Sequence, residues 1–378
     1  MPRFEFLKPA HELVVLRIGY LGLVQNVVQM LVAAQFLAKS LDFVRGIFHL
    51  SLIYNLNENQ NEDTGEHTIT YRKTVLIYNP RAGKFGRSGG RMVERIVETL
   101  AKNGHNVTAA PTSGPRTAGA LALEHIGRGA DLVLAAGGDG TINEVAEGMV
   151  HSDVPLGVLP AGTANVLGTE MKLGSDPVRA AERLGECRPR RISVGHVTCD
   201  GGRVSRHFLL MAGIGLDAHV VRHVDASLKA RTGKFAYWVA GWTLLGRRLA
   251  QIHVEIDGQK RECSFALLSK VRNYGGDFEI AKSVTLLDDQ FEAVLFEGRT
   301  SLPYVKYFAA MALDRLKDLK GVAVLRTSRA TLSCPEDRRV YVQIDGELAG
   351  HLPAEIELVP NALTLLVPPG YRSAANRP

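Results

Sequence analysis

From Thr74 onward the chain alternates short continuous apolar runs with longer stretches whose apolar residues recur at helical spacing. The runs "TVLIYNP" (74–80), "VTAAPT" (107–112), "ADLVLAAGG" (130–138) and "VPLGVLP" (154–160) read as strands. Residues 89–103, 116–128 and 141–150 read as helices, and "GTANVLGTEM" (162–171) as the start of another. Strands that are apolar on both faces and separated by helices predict a parallel sheet covered on both sides, with ligands gathering beyond the strand carboxyl ends. After about residue 190 the pattern shifts to "RISVGHVT" (191–198), "IHVEIDG" (252–258), "CSFALLS" (263–269), "EAVLFEG" (292–298), "ATLSC" (330–334) and "RVYVQIDGE" (339–347). These shorter or alternating runs predict a mainly antiparallel domain, interrupted by a helical stretch at 301–319. The expected organisation is an α/β domain over 71–190, a β-rich domain over 191–370 and a tail over 371–378.

The first 54 residues follow a different pattern. Ile18 to Ala38 carries no charge and approaches the roughly 20 residues that span a bilayer, but Gln25, Asn26, Gln29 and Gln35 are costly in hydrocarbon. Gly22, Gln25, Asn26 and Gln29 share one helical face, leaving Leu21, Leu23, Val24, Val27, Val28 and Leu31 elsewhere. The expectation for 1–54 is an amphipathic extension lying at a membrane interface; packing on the main body or on a second copy of the chain stays open. Residues 55–70, "NLNENQNEDTGEHTIT", are polar as a linker should be.

Composition narrows the partners. A chain of 378 residues with 46% hydrophobic content can bury more than one core. Its 45 Lys and Arg against 39 Asp and Glu make it mildly basic, which suits phosphates or acidic lipid heads; no nucleic-acid-binding module is present. Cys187, Cys199, Cys263 and Cys334 lie far apart and form no metal or disulfide framework, which points to a reducing cytosol.

The candidate chemistry lies at the ends of the predicted parallel strands. In "AAGGDGTINEVAEGM" (135–149) Gly137, Gly138 and Gly140 follow a strand and precede a helix, where backbone N–H groups can converge on an anion because no Cβ blocks the approach. The anion implied is a phosphate. Asp139 cannot bind it directly, so a role through Mg²⁺ or water is expected. Thr141 and Glu144 have capping-box spacing, which would start the helix there and aim its positive end at the same place. "NPRAGKFG" (79–86) and "GVLPAGTANVLG" (157–168) repeat the strand, bend and helix arrangement, so three loops can close on one ligand. Neither is a Walker A loop, since Lys84 is followed by Phe85, and "GIGLDA" (213–218) lacks the acidic residue a dinucleotide fingerprint requires.

"NPRAG", "GGDGTINEV", "LPAGTANVLG", "GIGLDA", "LLDDQFEAV" and "VQIDGE", in this order, resemble the diacylglycerol kinase catalytic-domain family, which includes sphingosine kinases and bacterial lipid kinases. The resemblance covers residues 72 to 370. It implies ATP-dependent phosphorylation of a lipid hydroxyl between an α/β nucleotide domain and a β-rich sandwich domain. A soluble kinase resembling NAD kinase, which shares "GGDGT", is the alternative. The resemblance makes Asn79, Pro80, Arg81, Ala82, Gly83 and Thr112 nucleotide contacts. It also assigns Gly138, Asp139, Gly140, Thr141, Ile142, Asn143 and Glu144 to the central phosphate loop, and Gly162, Thr163 and Asn165 to a third loop. Glu347 resembles the family's general base, with Asp345 beside it and Gly346 making room; read alone, "IDGE" is an ordinary hairpin turn.

Two further acidic places follow from the resemblance. Asp217 joins a carboxylate and Mg²⁺ network with the Asp139 position in bacterial relatives, although Val166 stands where a third member often occurs. In "LLDDQFEAV" the family holds a structural Mg²⁺, here through the Asp289 side chain and the carbonyls of Leu286 and Phe291; Gln290 stands where the family has glycine. Lipid access is expected over 219–248, where Arg222, Lys229, Arg231, Lys234, Arg247 and Arg248 interleave with Phe235, Tyr237, Trp238 and Trp242. These features predict a cytoplasmic enzyme attached peripherally to membrane, with ATP and Mg²⁺ as cofactors and a homodimer as one use of the leader.

Overall fold

Three strands of the first lobe are buried on both faces because nearly every residue in them is apolar, and they set the architecture. The computed structural model describes residues 71–376 apart from 86–88, 216–247, 275–277, 301–302, 313–314 and 337. The leader and linker over 1–70, the aromatic and basic stretch up to Arg247, and Asp217 lie outside the described residues.

In the first lobe β1 (Lys73–Tyr78), α1 (Gly89–Lys102), β2 (Asn106–Pro111), α2 (Ala118–Gly127), β3 (Leu132–Gly137), α3 (Asp139–Met149) and β4 (Leu156–Pro160) alternate, followed by short helices α4 (Val166–Glu170) and α5 (Pro177–Glu182). The strands are parallel in the order β2-β1-β3-β4. One face packs Leu76, Leu134 and Leu159 against Ile96 and Leu100 of α1; the other packs Val75, Val133 and Ala135 against Ala122 of α2 and Ile142, Val145 and Met149 of α3. This is the predicted covered parallel sheet.

The second lobe contains β5 (Arg188–Cys199), β6 (Val204–Phe208), β7 (Met211–Gly215), β8 (Ile252–Ile256), β9 (Gln259–Cys263), β10 (Phe265–Ser269), β11 (Asn273–Tyr274), β12 (Phe278–Glu279), β13 (Phe291–Phe296), α6 (Pro303–Ala312), β14 (Val322–Thr327), β15 (Arg329–Ser333), β16 (Tyr341–Ile344), β17 (Glu347–His351) and β18 (Ala354–Val367). An antiparallel sheet β14-β13-β10-β7-β16-β17 faces the β18-β15-β8-β9 end of the larger sheet. Phe208, Ile214, Val254, Leu268, Phe291, Leu332, Ile344 and Ile356 fill the space between them, with the Phe208 and Phe291 rings stacked at 5.8 Å.

The two lobes share strands. β18 lies beside β4 through Leu365 and Leu156, and pairs antiparallel with β5 from Val367↔Arg188 to Ala354↔Cys199, with an irregularity between Val359 and Leu363. The boundary expected at 190 therefore falls inside β5, whose pairing with β18 continues on both sides of it. The helical stretch expected over 301–319 is shorter: α6 covers Pro303–Ala312, and a separate 3-10 turn covers Leu316–Asp318. Among the described residues no helix is long and apolar enough to cross a membrane.

Candidate phosphate-loop site

The three glycine-bearing loops meet at the carboxyl ends of β1, β3 and β4. Asn79 N donates to Ala136 O (3.1 Å) and Lys84 N to Ala161 O (3.1 Å); Ala161 N and Gly162 N both donate to Gly137 O (2.8 and 3.0 Å). Bare backbone is required at the crossing, since a Cβ on Gly162 would lie 2.4 Å from Gly138 Cα. Asn165, in the left-handed region at φ 48°, fixes that bend: its Oδ1 accepts from Gly162 N (2.8 Å) and its Nδ2 donates to Gly162 O (2.9 Å). Asn79 Nδ2 reaches Thr141 Oγ1 at 3.4 Å, a Cβ on Gly83 would lie 3.5 Å from Thr163 Oγ1, and Thr112 N donates to Tyr78 O (2.9 Å). The expected nucleotide residues are thus brought together, and they divide by exposure. Pro80, Arg81, Gly83 and Thr163 are exposed, while Ala82, Gly137, Ile142, Asn143 and Asn165 are buried and support the loops from behind.

The capping box does not form. α3 begins at Asp139, two residues before Thr141, and its N-cap Gly138 has no side chain to offer. Glu144 instead reaches the neighbouring loop, where its carboxylate accepts from Arg116 N (2.8 Å) and Ala118 N (3.2 Å) at the start of α2. Crossing between elements satisfies amides that α2 would otherwise leave unpaired. Asp139 does the same for α4, accepting from Val166 N (3.0 Å) and Leu167 N (3.1 Å). Its carboxylate therefore has a structural task that the sequence did not reveal.

Asp345 and Gly346 form a two-residue hairpin turn with φ 48° and 82°, so the ordinary turn reading and the functional one describe the same residues. Asp345 accepts from Leu209 N, Leu210 N and Met211 N, each at 2.9 Å, which locks the turn to the start of β7. Desolvation, with the nearby Asp139 charge, pushes Asp345 up to about 7 against the pull of those amides. Gly346 faces open space, so its role is the turn. Room is made instead at Gly140, where a Cβ would lie 2.9 Å from Glu347 Oε1. Glu347, with 43% of its side chain exposed, thus reaches from β17 to the central loop of the α/β lobe.

One partner of Glu347, and the carboxylate behind it, carried no signal in the sequence. Arg206 on β6 lies between Glu347 (Nη2 to Oε2 3.6 Å) and Glu147 of α3 (3.5 Å), and Glu147 also accepts from His207 N (3.3 Å). His207 is held below its ordinary value by burial and by the neighbouring His196, partly offset by Glu147.

The other expected metal position is differently built. Asp289 Oδ1 accepts from the Ser193 hydroxyl, and Leu286 N donates to Tyr371 Oη (3.1 Å). Lys270, fully buried, donates from Nζ to Ser193 O (2.8 Å) and Asp288 O (3.0 Å). Burial pushes its ammonium down to about 8, while the carboxylates of Asp289 and Asp288 hold it up. Among the described residues no group of three or more His, Cys, Asp or Glu side chains is placed to hold a metal ion.

Known proteins resemble both lobes. The family model of the diacylglycerol kinase catalytic domain matches residues 73–197, and that of the YegS C-terminal NAD kinase beta sandwich-like domain matches 211–367. Residues 73–197 are thus similar to a diacylglycerol kinase catalytic domain. It is 27% identical over 290 residues to a diacylglycerol kinase of Bacillus subtilis, covering 75% of this chain and 92% of the relative. It is 26% identical over 288 residues to one of Staphylococcus carnosus, covering 75% and 91%. A crystal structure of a Bacillus anthracis diacylglycerol kinase has a TM-score of 0.65 at 22% identity, over 80% of this chain and 100% of that one, which carries the fold. These homologues imply a kinase.

Proposed function

We propose that the chain transfers the γ-phosphate of MgATP to the hydroxyl group of a lipid at the cytoplasmic face of a membrane. The observation that carries this reading is the contact between lobes: a carboxylate of the β-rich lobe lies against Gly140 in the glycine loop of the α/β lobe. The exposed residues of the first and third loops, with the backbone of Gly138 and Gly140, surround the place for the triphosphate. In this reading Glu347 takes the proton from the acceptor hydroxyl. The hydroxyl oxygen then attacks Pγ, and the bond from Pγ to the bridging oxygen breaks, releasing ADP and a phosphorylated lipid. Mg²⁺ bound with the nucleotide would supply charge neutralisation on the triphosphate. Arg206 holds Glu347 in position from behind.

Diacylglycerol is the first acceptor to test, because the matched relatives are named for it. A second reading, transfer to a soluble hydroxyl compound, is favoured by the NAD kinase beta sandwich-like match of the second lobe. Radiolabelled ATP offered with diacylglycerol micelles, with a sphingoid base, or with NAD separates these readings. Label entering the organic phase with diacylglycerol is expected, and label entering NAD alone would overturn the lipid reading.

A further inference from the structure

The segment from Thr285 to Phe291 is where the family resemblance calls for a structural divalent cation, and the oxygens of Asp288, Asp289 and the neighbouring Ser193 are already engaged there. Asp288 Oδ2 accepts from Thr285 N (2.8 Å), Thr285 Oγ1 (2.9 Å) and Ala374 N (3.1 Å), while its carbonyl accepts from Lys270 Nζ. The Asp289 carboxylate accepts from the Ser193 hydroxyl, and the Ser193 carbonyl accepts from Lys270. The ammonium therefore draws on Ser193 of β5, Asp288 and the field of Asp289, and it does so with no exposed surface. A carbonyl, a second carbonyl and a carboxylate are the donor chemistry a hard cation takes. A Mg²⁺ on the Asp289 carboxylate would meet the fixed positive charge that this carboxylate already faces. A buried ammonium, in turn, persists only where such oxygens pair it.

We propose that the Lys270 ammonium stands in for a divalent cation beneath the Thr285–Phe291 segment, so that this segment is tied to β5 by a built-in charge and takes up no Mg²⁺ there. The nature of the acceptor does not enter, so this inference stands whether or not the lipid reading holds.

Hydrogen exchange of the full chain without nucleotide, read on peptides covering 283–292, tests it. The wild type is expected to exchange at the same rate in millimolar MgCl₂ and in EDTA. Lys270→Met should exchange about tenfold faster in that segment, since the pairing that closes it is lost. Protection of the wild-type segment by MgCl₂ that disappears in Asp289→Asn would overturn the proposal. So would a Lys270→Met chain that exchanges like the wild type. Should Lys270→Met fail to fold, Lys270→Gln, which keeps donors without the charge, and the wild-type comparison still decide.

Discussion

Neighbouring carboxylates do different work here, and substitution separates them. Glu347→Gln keeps the size and removes the proton acceptor, so kcat is expected to fall about 10² to 10⁴-fold with little change in KM for ATP. A raised KM with kcat preserved would make Glu347 a nucleotide contact. Asp345→Asn should act on stability instead. Its Oδ1 can keep Leu210 N and Met211 N, but an amide nitrogen in place of Oδ2 would face the Leu209 N–H, donor against donor. That mismatch should cost about 1 to 3 kcal/mol, visible in the denaturation midpoint. Sequence placed both residues because motif and turn chemistry coincide in "IDGE". Arg206 and Glu147 were not legible: their side chains meet only because β6 returns over α3, and an Arg or Glu on a surface-like segment looks solvated until the strands are paired.

Elements buried on both faces were the easiest to read. β1, β3 and β4 are continuous apolar runs, and the structure places them within a residue or two of expectation. β9, "QKREC", escaped because four of its five residues are exposed on a sheet edge, where pairing rather than burial makes the strand. The start of α3 was misplaced for a different reason: Glu144 has the spacing of a local cap, but the first turn of α2 stands close enough to claim it. The same logic bears on Asp139. Asparagine would leave one acceptor for the Val166 and Leu167 amides and set an NH₂ against the other, so it is not neutral in shape at this site. Asp139→Asn is expected to lose most activity together with faster hydrogen exchange at the start of α4. Lost activity with unchanged exchange would return Asp139 to a purely chemical role.

At the scale of the molecule, the sequence gives two lobes but not their seam. The periodicity changes near residue 190, whereas β5 and β18 run through both lobes as one antiparallel pair, and their long-range register has no local signature. Across this seam Glu147 of α3 meets Arg206 and His207 of β6, which makes His207 a probe of how the lobes stay joined as pH changes. Burial first, and then the His196 charge, hold His207 below its ordinary 6.5 in the folded chain. The unfolded chain therefore binds the proton first as pH falls through 6.5, and His207 contributes stability above that pH that is lost below it. Asp345 works in the opposite direction: raised to about 7 from 3.8, it takes up its proton first in the folded chain and adds stability as pH falls. A melting curve of the wild type alone mixes the two. The difference between wild type and His207→Gln isolates the histidine, because glutamine does not titrate and Asp345 is common to both. The melting temperature of the wild type should drop relative to His207→Gln as pH is lowered from about 7 to about 5. A constant difference over that range would mean that His207 is protonated alike in both states, and that burial at the seam does not exclude its charge.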